Sequence, residues 1–173
     1  FVRGAPQKPS SANFYPADTT KEAVEAWFQQ LEGTARTEAT GFFTTIRRDR
    51  DGNFISVPYS MEYQGPLAIA AEQLRLAARA TAEPTLRHYL ETRATAFETN
   101  DYFESDVAWM ELDSTIEPTI GPYEVYEDAW FNYKASFEAF VTIRNDAETA
   151  NLQQFGQHLQ HLEDTLPIAP RFR

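Results

Sequence analysis

Between Thr19 and Gly33, apolar residues fall at Val24, Trp27, Phe28 and Leu31, the three-and-four spacing of a helix with one buried side. Thr19 stands three residues before Glu22, a capping-box pattern that opens this helix, which ends near Gly33. The pattern then becomes β-prone. Phe42–Ile46 and Phe54–Val57 flank Asp51-Gly52, the chemistry of a tight hairpin turn. Gly65-Pro66 opens the next helix, since a proline at the first helical position gives up only an N–H that would have no partner. Leu67, Ala70, Ala71, Leu74, Ala77 and Ala78 form its apolar face, and the alanines allow a neighbour close. Pro84 starts another helix, with Leu86, Tyr89, Leu90, Ala94 and Phe97 on the buried side. With Thr81-Ala82-Glu83 as the turn, the two predict a helical hairpin.

Asn100 to Asp106 mixes capping residues and aromatics and predicts a short helix running through Met110. Two extended stretches follow, Ile116–Tyr126 and Ala135–Ile143. In the second, Phe137, Ala139, Val141 and Ile143 alternate with Glu138, Phe140 and Thr142, the period of a strand. Asn145 or Asp146 caps a last helix bearing a stripe of Leu152, Phe155, Leu159, Leu162 and Leu166. Residues 1–17 read as irregular, 18–166 as a single α+β domain, and 167–173 as an extended tail. The fold class is therefore α+β, mostly helical, with a small antiparallel sheet.

At 173 residues, with 42% apolar and 14% aromatic positions, the chain is long enough to bury a core and is not of disordered composition. A charge interrupts every long apolar run, so no membrane span is expected. The absence of cysteine excludes disulfides, a thiol nucleophile and thiolate metal sites, but leaves the compartment open. A formal charge of −11 argues against nucleic acid, because phosphate binding needs clustered Lys and Arg. Arg47, Arg48 and Arg50 do cluster, with Asp49 and Asp51 between them. Such acidity suits solubility, cations or the positive amino terminus of a peptide, and solubility is the simplest reading. The start at Phe1 and the extended tail read as the ends of a matured or excised segment.

No P-loop, dinucleotide fingerprint, nucleophile elbow or His-Glu-x-x-His helix is present. His158 and His161 lie one helical turn apart, near Glu163 and Asp164, but on the flank away from the leucine stripe and without a third ligand. They read as solvent-facing, and no metal ligand is assigned. Asp49-Arg50-Asp51-Gly52-Asn53 has its glycine too early and lacks the closing Glu of a calcium loop. The carboxylates Glu104, Asp106, Glu111, Asp113 and Glu117 read as caps and solvated faces. No catalytic residue is assigned.

Pro118 and Pro122 carry more meaning. Proline cannot donate to a sheet ladder, so their strand belongs at an edge or across a bulge. An open edge could accept an extended peptide, with Glu117 or Glu124 holding its amino terminus. Equally, proline could protect that edge from association. An edge that docks a protein partner defines the alternative function, a non-catalytic interaction module.

The segment Ile116-Glu-Pro-Thr-Ile-Gly-Pro-Tyr-Glu-Val-Tyr-Glu-Asp128, followed by Tyr133-Lys-Ala-Ser-Phe-Glu-Ala-Phe-Val141, resembles the dipeptidyl peptidase III family. That family carries a Glu-x-Tyr-Ile-Gly-x-x-Glu-x-Tyr-x-Asp strand and then a Glu-Phe-Glu-Gly-Phe-Val strand. Asn13-Phe-Tyr-Pro16, Val57-Pro-Tyr-Ser60, Asn100-Asp-Tyr102 and Ser105-Asp-Val-Ala-Trp-Met110 are similar to its bacterial branch. The resemblance implies a two-lobed zinc exopeptidase that releases dipeptides from the amino ends of peptides. Its zinc is held by a His-Glu-x-x-Gly-His helix and a Glu-rich helix, neither present here. This chain then corresponds to the other lobe, which lines the substrate cleft. A peptide and the zinc-bearing lobe are the implied partners, and zinc belongs to the complete parent rather than to this chain. The resemblance places Glu117 at the family's substrate-contacting Glu, and Thr119 where the family has a Tyr that assists at the reacting carbonyl. In this reading Glu117 anchors a peptide amine, while Thr119, Tyr123, Glu124 and Tyr126 complete the substrate-binding set.

Overall fold

The computed structural model describes residue 4, residues 7–9 and residues 11–172. Of the segment expected to be irregular, residues 1–3, 5, 6 and 10 lie outside the described residues, as does residue 173 of the tail.

Helix α1 (Lys21–Gln30) is capped by Thr20, whose hydroxyl accepts from the Ala23 N–H at 3.3 Å. The expected cap, Thr19, instead has its own N–H tied into a turn by the Pro16 carbonyl, which moves the helix start on by one residue. The helix ends close to Gly33, at Gln30. The chain turns extended at Leu31, and Gly33, at φ +54°, opens a short α2 (Gly33–Ala39). Arg36 Nη1 reaches back to the Phe28 carbonyl at 2.8 Å, which also accepts from the Leu31 N–H at the end of α1.

β1 (Thr44–Arg48) and β2 (Phe54–Pro58) pair antiparallel around the Asp51-Gly52 turn. The Asp49 carboxylate shapes that turn by accepting from the N–H groups of Asp51 and Asn53 at 2.9 and 2.8 Å. A one-turn helix unforeseen in the sequence, α3 (Tyr59–Glu62), leads into α4 (Gln64–Ala80), which antiparallel α5 (Pro84–Thr99) packs against. Leu67, Ala71, Leu74 and Ala78 of α4 meet Leu86, Tyr89, Leu90, Ala94 and Phe97 of α5, all buried. Asn100 stops α5 in the left-handed conformation at φ 66°. Its side chain joins the two halves of the domain, donating to the Phe43 carbonyl and accepting from the Ser60 N–H.

After α6 (Phe103–Met110), β3 (Ile116–Glu124) and β4 (Ser136–Ile143) form a second antiparallel pair. The fold is thus mostly helical with two small antiparallel sheets. α7 (Asp146–Thr165) is capped by Asn145, one of the two expected caps. Its apolar stripe is not core: exposure runs from 45% at Leu166 to 70% at Leu152. Within the tail, Pro170–Phe172 form a single 3-10 turn. No helix among the described residues is long and apolar enough to cross a membrane.

Two clusters make the core. One lies between α4, α5 and α6. The other gathers Phe14, Tyr15, Val24, Phe28, Ala39, Ile46 and Tyr59, and Phe43 and Tyr63 pack against both. Each buried Leu, Val or Phe stabilises by about 1.5–3 kcal/mol. A polar node pins the β3–β4 connection to this second cluster. Buried Asp128 accepts from the Tyr15 hydroxyl (2.8 Å) and from the N–H groups of Trp130, Phe131, Tyr133 and Lys134. Lys134, also buried, donates to the Ala39 and Gly41 carbonyls and the Thr44 hydroxyl at 2.6–2.9 Å. Burial pushes Lys134 down to about 7, while the Asp128 charge pulls it back. The ammonium can satisfy all three oxygens and the neutral amine only two, so the geometry favours the charged form.

Asp128→Ala is expected to cost about 3 kcal/mol or more in chemical denaturation, because it leaves several buried donors without an acceptor. The pH profile should be asymmetric. Burial raises the Tyr15, Tyr59, Tyr102 and Tyr123 phenols well above the ordinary tyrosine value, and Asp128 adds to the effect at Tyr15. Unfolded tyrosine loses its proton near about 10, so above that pH the unfolded state binds fewer protons and stability falls. Tyrosinate absorbance of these residues should appear together with loss of the helical circular dichroism, rather than before it.

Candidate functional site

The chemistry singled out in the sequence collects on β3, and backbone pairing decides what that strand can offer. Arg144 N–H donates to the Thr115 carbonyl, which makes odd-numbered β3 residues the ladder partners of β4. The backbone groups of Pro118, Ile120 and Pro122 therefore face the other way. The two prolines sit where no ladder N–H is required. Between them, the Ile120 N–H donates to the Tyr89 hydroxyl at 3.2 Å, and that hydroxyl donates to the Ile120 carbonyl at 3.4 Å. The outward edge of β3 is thus without an available donor from 118 to 122, and α5 lies against it. The prolines do mark an edge, but one closed to strand addition. Outward main-chain groups remain on β4, at Phe137, Ala139, Val141 and Ile143, with no strand partner among the described residues.

Register also decides which side chains meet. Glu117 stands opposite Thr142, Thr119 opposite Phe140, and Gly121 opposite Glu138. A bulge follows: Pro122 pairs with Phe137 and Glu124 with Ser136, leaving Tyr123 as the extra residue. The bulge shifts the alternation by one. Cross-strand partners share a face, so Glu124 joins Glu117 and Thr119 instead of opposing them. Thr142 and Ser136 hydroxyls donate to the Glu117 and Glu124 carbonyls at 3.2 and 3.0 Å and fix this side of the ladder. The other face, with Ile116, Pro118, Ile120 and Val141, turns toward the α4–α5 hairpin across an apolar groove of about 640 Å³.

Of the five sequence-predicted site residues, the structure brings Glu117, Thr119 and Glu124 onto one face. Both carboxylates are exposed and Thr119 is half-buried. Tyr123 sits in the bulge, half-buried. Tyr126 lies beyond the strand and is 78% exposed. Glu138, not singled out from the sequence, completes the face. None of the carboxylates Glu117, Glu124 and Glu138 has an ion-pair partner among the described residues. Such a surface favours a cationic group. No group of three or more His, Asp or Glu among the described residues is placed to hold a metal ion.

Against β3, on α5, lies a residue that sequence reasoning passed over. Arg93 has no exposed side-chain surface. Its Nη2 meets the Asp106 carboxylate at 2.6 Å, and its guanidinium lies 5.3–5.5 Å from the rings of Tyr89, Tyr102 and Tyr123. Nε and Nη1 have no acceptor among the described residues. Gly121, at φ +152°, has no side chain because a Cβ there would stand 2.8 Å from Arg93 Nη1. The available signal was positional: Arg93 falls four residues after Tyr89 and three after Leu90, on the helical face already predicted to be buried. Asp106, read as a cap or solvated carboxylate, is its partner. His88 is exposed on α5, and His158 and His161 are exposed on α7.

The chain matches the model of peptidase family M49 over residues 28–173. It is similar to the dipeptidyl-peptidase III structure from Corallococcus sp. strain EGB, at 58% identity and a TM-score of 0.85, covering 100% of this chain and 32% of that one. It is also similar to DPP III from Caldithrix abyssi, at 48% identity and a TM-score of 0.86, covering 98% of this chain and 32% of that one. Nudix hydrolase 3 of Arabidopsis thaliana is 42% identical over 181 residues, which cover 93% of this chain and 23% of that protein. That name describes a chemistry to which neither the family model nor the matched structures point. The chain spans about a third of the length of the matched structures.

Gly121→Ala tests the packing of α5 against β3. It introduces both a left-handed strain and a contact with a caged guanidinium, and is expected to cost about 1–3 kcal/mol in urea denaturation. Gly52→Ala, at a turn with open space around it, is the reference that isolates backbone strain from the clash.

Proposed function

This chain belongs to peptidase family M49, a family of zinc metallopeptidases, and we propose that it forms the substrate-binding lobe of a dipeptidyl-peptidase-III-like hydrolase. The observation that carries this reading is the shared face of Glu117, Thr119 and Glu124, whose two carboxylates are exposed and have no ion-pair partner among the described residues. A peptide's amino terminus is a cation with three donors. A carboxylate at Glu117 can accept from it, and Glu124 and Glu138 extend the same negative surface. Thr119 offers a hydroxyl from the floor of the face. Tyr126 flanks its far end, where its ring can bound the apolar part of a ligand, while the Tyr123 ring, packed against Arg93, shapes that end from within the bulge.

In the complete protein the reaction is hydrolysis that releases an amino-terminal dipeptide. The residues described here do not supply a site for the family's zinc, so no catalytic step is assigned to them. Their work is binding and orientation, and the zinc-bearing lobe is the partner that completes the cleft. Phe140, Val141 and Ile143 on β4, with Leu152, Phe155, Leu159 and Leu162 on α7, present apolar surface that supports such a meeting. Thr119 departs from the family pattern at the tyrosine that assists at the carbonyl, and its hydroxyl reaches a shorter distance from the strand than a phenol would. The complete protein then needs another donor at that carbonyl, or acts on a different substrate. The interaction-module reading keeps one point of support, the outer edge of β4.

Isothermal titration of this chain with tetra-alanine tests the assignment. Glu117→Ala is expected to weaken binding about fivefold to tenfold, the loss of one charge-assisted contact, while amino-terminal acetylation of the peptide abolishes the difference between variant and parent. Equal affinities of the two proteins for the free peptide would remove Glu117 from the site.

A further inference from the structure

We propose that Tyr89 and Arg93 of α5 are positioning residues that set the shape of β3 and thereby aim Glu117 at its ligand. The inference rests on the substrate-face reading above for its ligand, but not for its geometry. Three observations converge on the same few residues. First, Tyr89 is fully buried and its hydroxyl bonds both backbone groups of Ile120, holding the strand edge between two prolines. Second, Arg93 projects its guanidinium into the space that the side chain of Gly121 would fill, so helix and strand interlock there. Third, Tyr123, the extra residue of the bulge, packs its ring against both Gly121 and the Arg93 guanidinium.

The bulge is the part of β3 that matters for the acidic face, since it puts Glu124 on the side of Glu117 and Thr119. Without it the strand would keep strict alternation, and Glu124 would point toward the α4–α5 hairpin. A bulge is a local conformation that needs external support. Here the support is the caged cation. Arg93 is 0% exposed and loses its hydration, yet among the described residues only the Asp106 carboxylate contacts it. The three tyrosine rings supply the rest of its environment. A guanidinium is planar and rigid enough to stack against rings from several directions at once, which an ammonium cannot do equally well. The arrangement transmits the position of α5 to the strand that carries the binding carboxylates, without either residue touching a ligand.

Tyr89→Phe is the cleanest probe, because it removes one oxygen and keeps the ring. Two readouts on the full chain decide the matter. By NMR, the Ile120 amide should exchange with solvent at least tenfold faster in Tyr89→Phe, and the resonances of Glu117, Thr119 and Glu124 should shift. Unchanged exchange and unshifted resonances would overturn the inference whether or not the chain binds peptide. By titration with tetra-alanine, Tyr89→Phe should weaken binding about threefold to tenfold in the parent and have no further effect in the Glu117→Ala background. Additive losses in that cycle would mean that Tyr89 acts on stability or on another contact, and would defeat its positioning role. If the parent itself fails to bind tetra-alanine, the substrate-face reading falls and the exchange data alone judge the positioning. Arg93→Lys should keep more peptide affinity than Arg93→Met at equal folded fraction. Indistinguishable affinities of these two variants would remove the guanidinium from the account.

Discussion

A strand that ends a sheet presents a row of main-chain donors and acceptors, and β3 has almost none of its donors left to give. Proline occupies two of the three outward positions between 118 and 122, and Tyr89 takes the third. Closing the edge this way has a structural consequence. β3 cannot recruit another strand there, so the helix α5 lies against it instead, and the α4–α5 hairpin becomes the floor beneath the sheet. One face of the ladder is thereby committed to packing. The acidic face remains for solvent or a ligand, so its exposure follows from the way the opposite face and the edge are used up.

The second constraint is the Asp128 node. A connection of eleven residues between two strands would be free to wander, but its amides converge on one buried carboxylate. Lys134 then fastens the strand entrance to the end of α2 and the start of β1. Tyr59 adds a hydrogen bond to the Ala135 carbonyl. These contacts fix where β4 begins, and the ladder register fixes where β3 and its bulge must lie. The family-like motif that ends in Asp128 therefore mixes two jobs. Glu117 and Glu124 face outward, whereas Asp128 is turned inward and holds the loop.

Elements whose signal is local were legible in the sequence. The buried side of α5 was read residue by residue because its spacing repeats over four turns, and both hairpins announced themselves through Asp51-Gly52 and the two extended runs. The cap of α1 was misplaced by one residue because Thr19 and Thr20 are chemically equivalent, and only the turn at Pro16 distinguishes them. The stripe on α7 was read correctly as a stripe, but periodicity reports an apolar face and not what covers it. Pro118 and Pro122 pointed to an edge or a bulge, and the strand has both, but composition does not say at which residue the register shifts, so the sequence did not place Glu124 on the face of Glu117. Arg93 shows the opposite failure. Its spacing falls on the buried face, yet nothing local in the sequence accounts for a buried charge there, because its compensation comes from Asp106 and from the rings of Tyr89, Tyr102 and Tyr123.

The substitution at Thr119 can be placed within this geometry. Thr119 pairs with Phe140 and lies between Glu117 and the buried Gly121, with Glu138 and Glu124 further along, so it stands within the face rather than at its margin. A tyrosine at this point would project from the centre outward across the face, carrying its hydroxyl away from the strand. Threonine keeps a hydroxyl but withdraws it to the floor and opens the space above. Phe140, 58% exposed directly opposite, then becomes the tallest group at that level of the sheet. The face as built is a shallow acidic floor with an aromatic wall on the β4 side. Such a shape suits a ligand that brings a cation to the carboxylates and an apolar group to Phe140, and it leaves activation of the carbonyl to groups outside these strands.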